Sequence, residues 1–332
     1  MAFVDIFDKG IELLKQQKAE TNGNEKDRFT SEFNKTKTVF ICGMDKCGKT
    51  SFINRFFDKN ENAEPTFGLA YKFATKTRVN NKELAEFWEL GNSSVLASLT
   101  SVCITTKNID NLSVVIFIDP SNPQNIEAVI SPLLKRIRDQ VTKLAAKKAD
   151  NDLGKSIFSL GKPWVFVVAK YDEFQNFDTE RKRTMLKILR FLAHVNGATL
   201  MSYSIYQEVL VGRGKGLAGN LAFDTSFNTP NYTDILKPEF IDAGTDSIED
   251  IGELIHGRSR ATFDSIQDAM DYFFLALNEN FKQQPIEQPT SALEANNEEE
   301  NKKFAEPLLD AAVEERFREM EFMDKDMSRG HA

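Results

Sequence analysis

The chain has 332 residues, enough for one large α/β domain with extensions or for two modest domains. Its formal charge of −8 argues against a broad nucleic-acid surface, which needs clustered Lys and Arg, and against docking on an anionic membrane. Its three cysteines and three histidines have no metal-ligand spacing, and two of the cysteines fall in or beside one Gly-rich turn, which fits a reducing compartment better than a disulfide framework.

Phe3, Ile6, Phe7, Ile11 and Leu14 recur at helical spacing and predict a short amphipathic helix before residue 20. Asp5 and Asp8 interrupt that run, so it does not read as a secretory signal. No apolar stretch reaches the roughly 20 residues of a spanning helix. The reading is therefore a cytoplasmic chain without membrane insertion. Residues 19–34 are polar and read as a linker, so residues 1–34 form a first segment.

The apolar run 38–42 predicts a buried strand leading into a Gly-rich turn, and a helix follows over 51–58. Strand patterns cover 67–77, 84–90, 114–118, 164–168 and 198–203. Helical patterns cover 126–149, 181–194 and 263–281, while 212–262 reads as irregular. Strands alternating with helices predict an α/β fold with a mostly parallel sheet and helices on both faces, over residues 35–282. A Gln-, Pro-, Asn- and Glu-rich linker follows from 282 to 301. An acidic amphipathic helix with Leu308, Leu309 and Phe317 on one face ends the third segment, 283–332. That face would suit a cargo partner, or the tail is weakly ordered; both readings stand.

Gly43 to Thr50 fits the P-loop pattern G-x-x-x-x-G-K-[ST], between a strand and a helix as the motif requires. Gly43 and Gly48 permit a backbone that turns successive N–H groups inward, so Asp45, Lys46, Cys47 and Ser51 join the phosphate cradle. Lys49 would meet the β- and γ-phosphates, and Thr50 would offer its hydroxyl to Mg²⁺. The pattern admits GTP or GDP with Mg²⁺ as ligand.

The other nucleotide elements are degenerate. A working GTPase carries Asp-x-x-Gly here, with a Gln after the Gly to orient the attacking water. This chain has Trp88, Glu89, Leu90, Gly91 and Asn92. Trp88 falls on the Asp position, and Glu89, as its neighbour on a strand, is expected to face the other way. Asn92 is shorter than Gln, so hydrolysis is expected to be crippled. Thr66 is placed either as a switch threonine or as an ordinary strand-entry residue. Lys170 and Asp172 sit at a strand end where guanine is read, with Ala169 in place of the usual Asn; Lys148 and Asp150 match the same short pattern by chance. Residues 202–204 are candidates for the last base-contacting turn. His194 reads as a surface residue near a helix C-terminus. Asp119, closing the run 114–118, keeps open an ATPase reading as a Walker-B acid.

Six segments carry a family resemblance: EPTFGLAY at 64–71, EFWELG at 86–91, KYDEFQNF at 170–177, LRFLAH at 189–194, GATLM at 197–201 and IDAGTDS at 241–247. On them the chain resembles the light intermediate chains of cytoplasmic dynein, and in particular the dynein 2 (ciliary) type. The resemblance implies a Ras-like P-loop domain serving as a non-catalytic subunit. It also implies binding to the dynein heavy chain, association with other dynein 2 subunits and intraflagellar transport components, and a place on the cytoskeleton, in the cilium and at the basal body. An active small GTPase-like switch is the alternative.

Overall fold

A computed structural model of the protein describes residues 35–78, 81–148, 163–234, 237–257 and 263–284. The N-terminal helix and linker expected over 1–34, and the linker and amphipathic helix expected beyond residue 284, lie outside the described residues. The chain divides after Gln284.

Seven strands form one sheet: β1 (Lys35–Gly43), β2 (Leu69–Arg78), β3 (Asn81–Leu90), β4 (Leu112–Ile118), β5 (Trp164–Val168), β6 (Thr199–Ser202) and β7 (Phe240–Ile241). Their order is β2-β3-β1-β4-β5-β6-β7. The inner five run parallel, while β2 and β7 pair antiparallel at the two edges. Every residue of β4 and β5 is buried, so helices cover both alternating sets of side chains, as an apolar parallel sheet demands. Each fully buried Val, Ile or Phe there contributes about 1.5–3 kcal/mol.

Five longer helices clothe the sheet: α1 (Lys49–Phe56), α2 (Ile126–Lys148), α3 (Thr179–Asn196), α4 (Glu208–Phe223) and α5 (Ile266–Asn280). Asp178 opens α3 by accepting from the backbone N–H of Glu180 at 3.0 Å, and Gly197 closes it at φ 59°. His194 lies in the last turn of that helix, as expected. Helix α1 packs with α4, and α3 with α5. Among the described residues no helix is long and apolar enough to cross a membrane.

Helix α4 and strand β7 correct the expectation of irregular structure over 212–262. The sequence of α4 contains Gly212, Gly214, Gly216 and Gly219, each costing a helix interior roughly 1 kcal/mol against Ala. Packing overrides that propensity. A Cβ on Gly214 would stand 2.8 Å from the Tyr203 ring and 3.0 Å from Phe52 on α1, so the absent side chain is what lets the two helices meet.

Candidate functional site

The site begins at the carboxyl end of β1, between β3 and β4. Gly43 has φ 124°, and a Cβ there would lie 2.1 Å from the Phe117 carbonyl oxygen, so only glycine fits the turn. Met44 N–H then donates to that oxygen at 2.9 Å, and Gly43 N–H donates to Ser93 Oγ at 3.2 Å. Lys46 at φ 54° and Gly48 at φ 91° continue the left-handed turn into α1. The Lys49 ammonium is buried within the loop and donates to the carbonyls of Met44 at 2.6 Å and Gly43 at 3.3 Å. Asp45 Oδ1 lies 3.9 Å from it. Cys47 is buried and donates to Met44 O at 2.7 Å, with its thiol pushed up to about 12 by desolvation. Cys42, Cys47 and Cys103 are all free and buried.

Thr50, at the start of α1, donates its hydroxyl to Glu89 Oε1 at 2.6 Å and stands 3.4 Å from the Thr66 hydroxyl. Glu89 is 2% exposed, and its second oxygen, Oε2, is buried with no hydrogen-bond partner. Burial holds its pKa above the ordinary carboxylate value, against the Thr50 hydrogen bond, the charges of Lys49 and Lys72, and a weaker contribution from the Thr66 hydroxyl.

This arrangement corrects the expectation that Trp88 fills the carboxylate position. Trp88 faces away and packs tilted against Tyr71 of β2 at 4.8 Å between ring centroids. Glu89 shares the opposite face with Phe87, whose ring lies 4.9 Å from Phe56 of α1. Alternation along β3 holds, but with Glu89 and not Trp88 turned to the loop. Gly91 follows, where a Cβ would stand 1.8 Å from the Thr66 carbonyl oxygen, so glycine is needed to let the Thr66 segment lie across it. Asn92 sits at φ 47° and accepts from the Ser94 hydroxyl at 3.1 Å.

At the other end of the cavity, Lys170 takes a left-handed conformation at φ 49° and pairs with the buried Asp119 at 2.7 Å. Asp119 also accepts from Ser121 N–H at 3.0 Å. Asp119 is thus engaged by Lys170 and Ser121 at this end of the cavity, and Glu89 is the carboxylate that meets Thr50. Asp172 Oδ1 accepts from the Ser204 hydroxyl at 2.5 Å. Ala169 is fully buried, and its N–H donates to Ile118 O at 2.8 Å. The loop is tied down through Lys170 and Asp172 where an Asn would otherwise have served.

A cavity of about 530 Å³ joins these two ends, a volume suited to a mononucleotide. Asp45, Lys46, Cys47, Gly48, Lys49, Thr50 and Ser51 line one end, Thr66 the rim, and Lys170 and Asp172 the other end. Gly43 lies beneath the loop and shapes it from behind. Tyr203 and Ser204, from the turn read as a base-contacting candidate, line the cavity, while Glu89 and Ser93 are additions that the sequence does not assign to the site. Phe87 could have set the phase for Glu89, because residues two apart on a strand share a face. Among the described residues no cluster of three acidic, His or Cys side chains could hold a metal without a ligand's help.

No protein-family model matches the chain. It is 28% identical to the cytoplasmic dynein 2 light intermediate chain 1 of Danio rerio, over 98% of this chain and 95% of that one. It is 34% identical to the protein of the same name from Rattus norvegicus, over 65% of this chain and 68% of the relative. The chain belongs to the cytoplasmic dynein 2 light intermediate chain family. Among solved structures, the conserved domain of a dynein light intermediate chain superposes with a TM-score of 0.51 at 15% identity, over 77% of this chain and 94% of that domain. At that identity the likeness shows the fold alone, which this chain shares with the light intermediate chain domain.

Proposed function

We propose that this light intermediate chain is a non-catalytic subunit of the cytoplasmic dynein 2 motor. It binds the dynein heavy chain, associates with other dynein 2 subunits and intraflagellar transport components, and supports retrograde transport and cilium assembly. Its place is the cytoskeleton, the cilium and the basal body. The observation that carries this reading is similarity to a dynein 2 light intermediate chain along 98% of the sequence.

The cavity takes GTP or GDP with Mg²⁺ as a structural ligand. Three features fit that group: a turn that only Gly43 can make, a buried Lys49 ammonium among backbone carbonyls, and the unpaired Oε2 of Glu89 beside the Thr50 hydroxyl. A bound Mg²⁺ would neutralise phosphate charge there. Lys49 would hold the phosphates, Thr50 the metal, and Asp172, steadied by Ser204, the base edge. Turnover lacks a positioned water-orienting side chain, because Asn92 is short and its amide oxygen is engaged by Ser94.

The test is recovery of the tagged full chain from ciliated cells. The dynein 2 heavy chain should be recovered with it, and cells lacking the chain should build short cilia swollen with returning cargo. Recovery of the chain without heavy chain, with normal cilia in its absence, would overturn the proposal.

A further inference from the structure

We infer that Glu89 holds the nucleotide's Mg²⁺ ion together with Thr50, taking from the α1-facing side of β3 the part that the position of Trp88 does not supply. This deepens the guanine-nucleotide reading and rests on it. Glu89 presents one carboxylate oxygen to Thr50 at 2.6 Å and keeps the other buried with no hydrogen-bond partner among the described residues. An orphaned carboxylate oxygen in a site 2% exposed costs free energy unless a cation or donor meets it. Among the described residues neither nearby cation takes that place: the Lys49 ammonium is hydrogen-bonded to the Met44 and Gly43 carbonyls, and Lys72 donates to Asn54 Oδ1 at 2.5 Å. The Thr66 hydroxyl lies 3.4 Å from that of Thr50, so a carboxylate and two hydroxyls converge on one point. Mg²⁺ favours that donor set, with one or two protein oxygens and the remainder from phosphate and water. The alternative is that Glu89 only clasps Thr50 at the start of α1.

Fluorescent GDP titrated into the full chain, in Mg²⁺ or in EDTA, separates the two. The wild type should bind about 5- to 150-fold more tightly with Mg²⁺, the range of an ordinary coupling between two ligands. Glu89→Gln keeps size and the contact to Thr50, and should reduce that ratio to near one, each protein's affinity in EDTA serving as its own reference. Mn²⁺ in place of Mg²⁺ should give a bound electron-spin resonance signal in the wild type with GDP, and a free-ion signal in Glu89→Gln. Trp88→Phe, on the opposite face, should keep the wild-type ratio. A Glu89→Gln protein that retains the ratio and the bound Mn²⁺ signal would overturn the role. Should that variant not fold, Glu89→Asp decides by the same ratio, with a fall supporting the role and a wild-type value overturning it. A wild type that binds no nucleotide in either buffer would overturn the guanine-nucleotide reading, and this role with it. A wild type whose GDP binding ignores Mg²⁺ would overturn the role of Glu89 alone.

Discussion

The two ends of the cavity are built in different ways. The phosphate end is mostly backbone and local: one glycine-dependent turn between β1 and α1, with a lysine folded into it. The base end is mostly side chain and non-local, where Asp119, Lys170, Asp172 and Ser204 come from the ends of three strands and meet in pairs. A backbone cradle has one way to be right, so damage to it should be abrupt. Pairwise side-chain ties should fail in smaller steps.

Gly43→Val should do the most harm. It forces a branched residue into φ 124° with its Cβ against the Phe117 carbonyl, for a loss of about 4 kcal/mol in a urea melt. Lys49→Ala should spare the fold better and weaken GDP binding by roughly 2–5 kcal/mol in calorimetry, as expected for removing one partner of a buried ionic contact.

Behind the base end lies Glu239, whose backbone N–H donates to Ser202 Oγ at 3.0 Å. Desolvation raises it to about 7, with the Arg190 charge opposing and Asp246 adding, and its charge in turn acts on buried Tyr171. A carboxyl with a raised folded-state pKa binds more protons folded than unfolded. Its contribution is therefore greatest below the ordinary Glu value and is lost as pH climbs from about 4.5 to about 7. Glu239→Gln should remove that dependence and stabilise the protein at pH 8 by roughly 3 kcal/mol, read from melts across that range. Equal pH dependence in the variant would show that another group, and not buried Glu239, sets it.

Asp172→Ala should reduce the preference for guanine over adenine nucleotides by about 1.5–3 kcal/mol in competition binding. Ser204→Ala should act in the same direction but by only about 1 kcal/mol. Combined, the two should be less than additive, because the serine acts through the aspartate. Full additivity would mean that each reads the ligand separately.

The same contrast explains what was legible in the sequence. The P-loop was readable because its residues are contiguous and its glycines demanded by backbone geometry. The buried runs 114–118 and 164–168 were readable because a doubly covered strand has to be apolar throughout. Helix α4 is hidden by its four glycines, and the reason for Gly214 lies in Phe52 and Tyr203, outside the helix. Glu89 was hidden differently. Alternation along β3 is legible, but its phase is set by Phe87, which packs on α1, whereas the motif points to Trp88. The tie between Asp172 and Ser204 joins two strand ends, and only the fold brings them together.

The central claim is that this family member grips a guanine nucleotide without cutting it. Purified chain incubated with GTP and Mg²⁺, stripped of free nucleotide and then denatured, can be examined by chromatography for what it releases. Intact GTP, close to one per chain and unchanged after hours of incubation, is the predicted result. Release of no nucleotide, or GDP that accumulates with time in the wild type and not in Lys49→Ala, would contradict it.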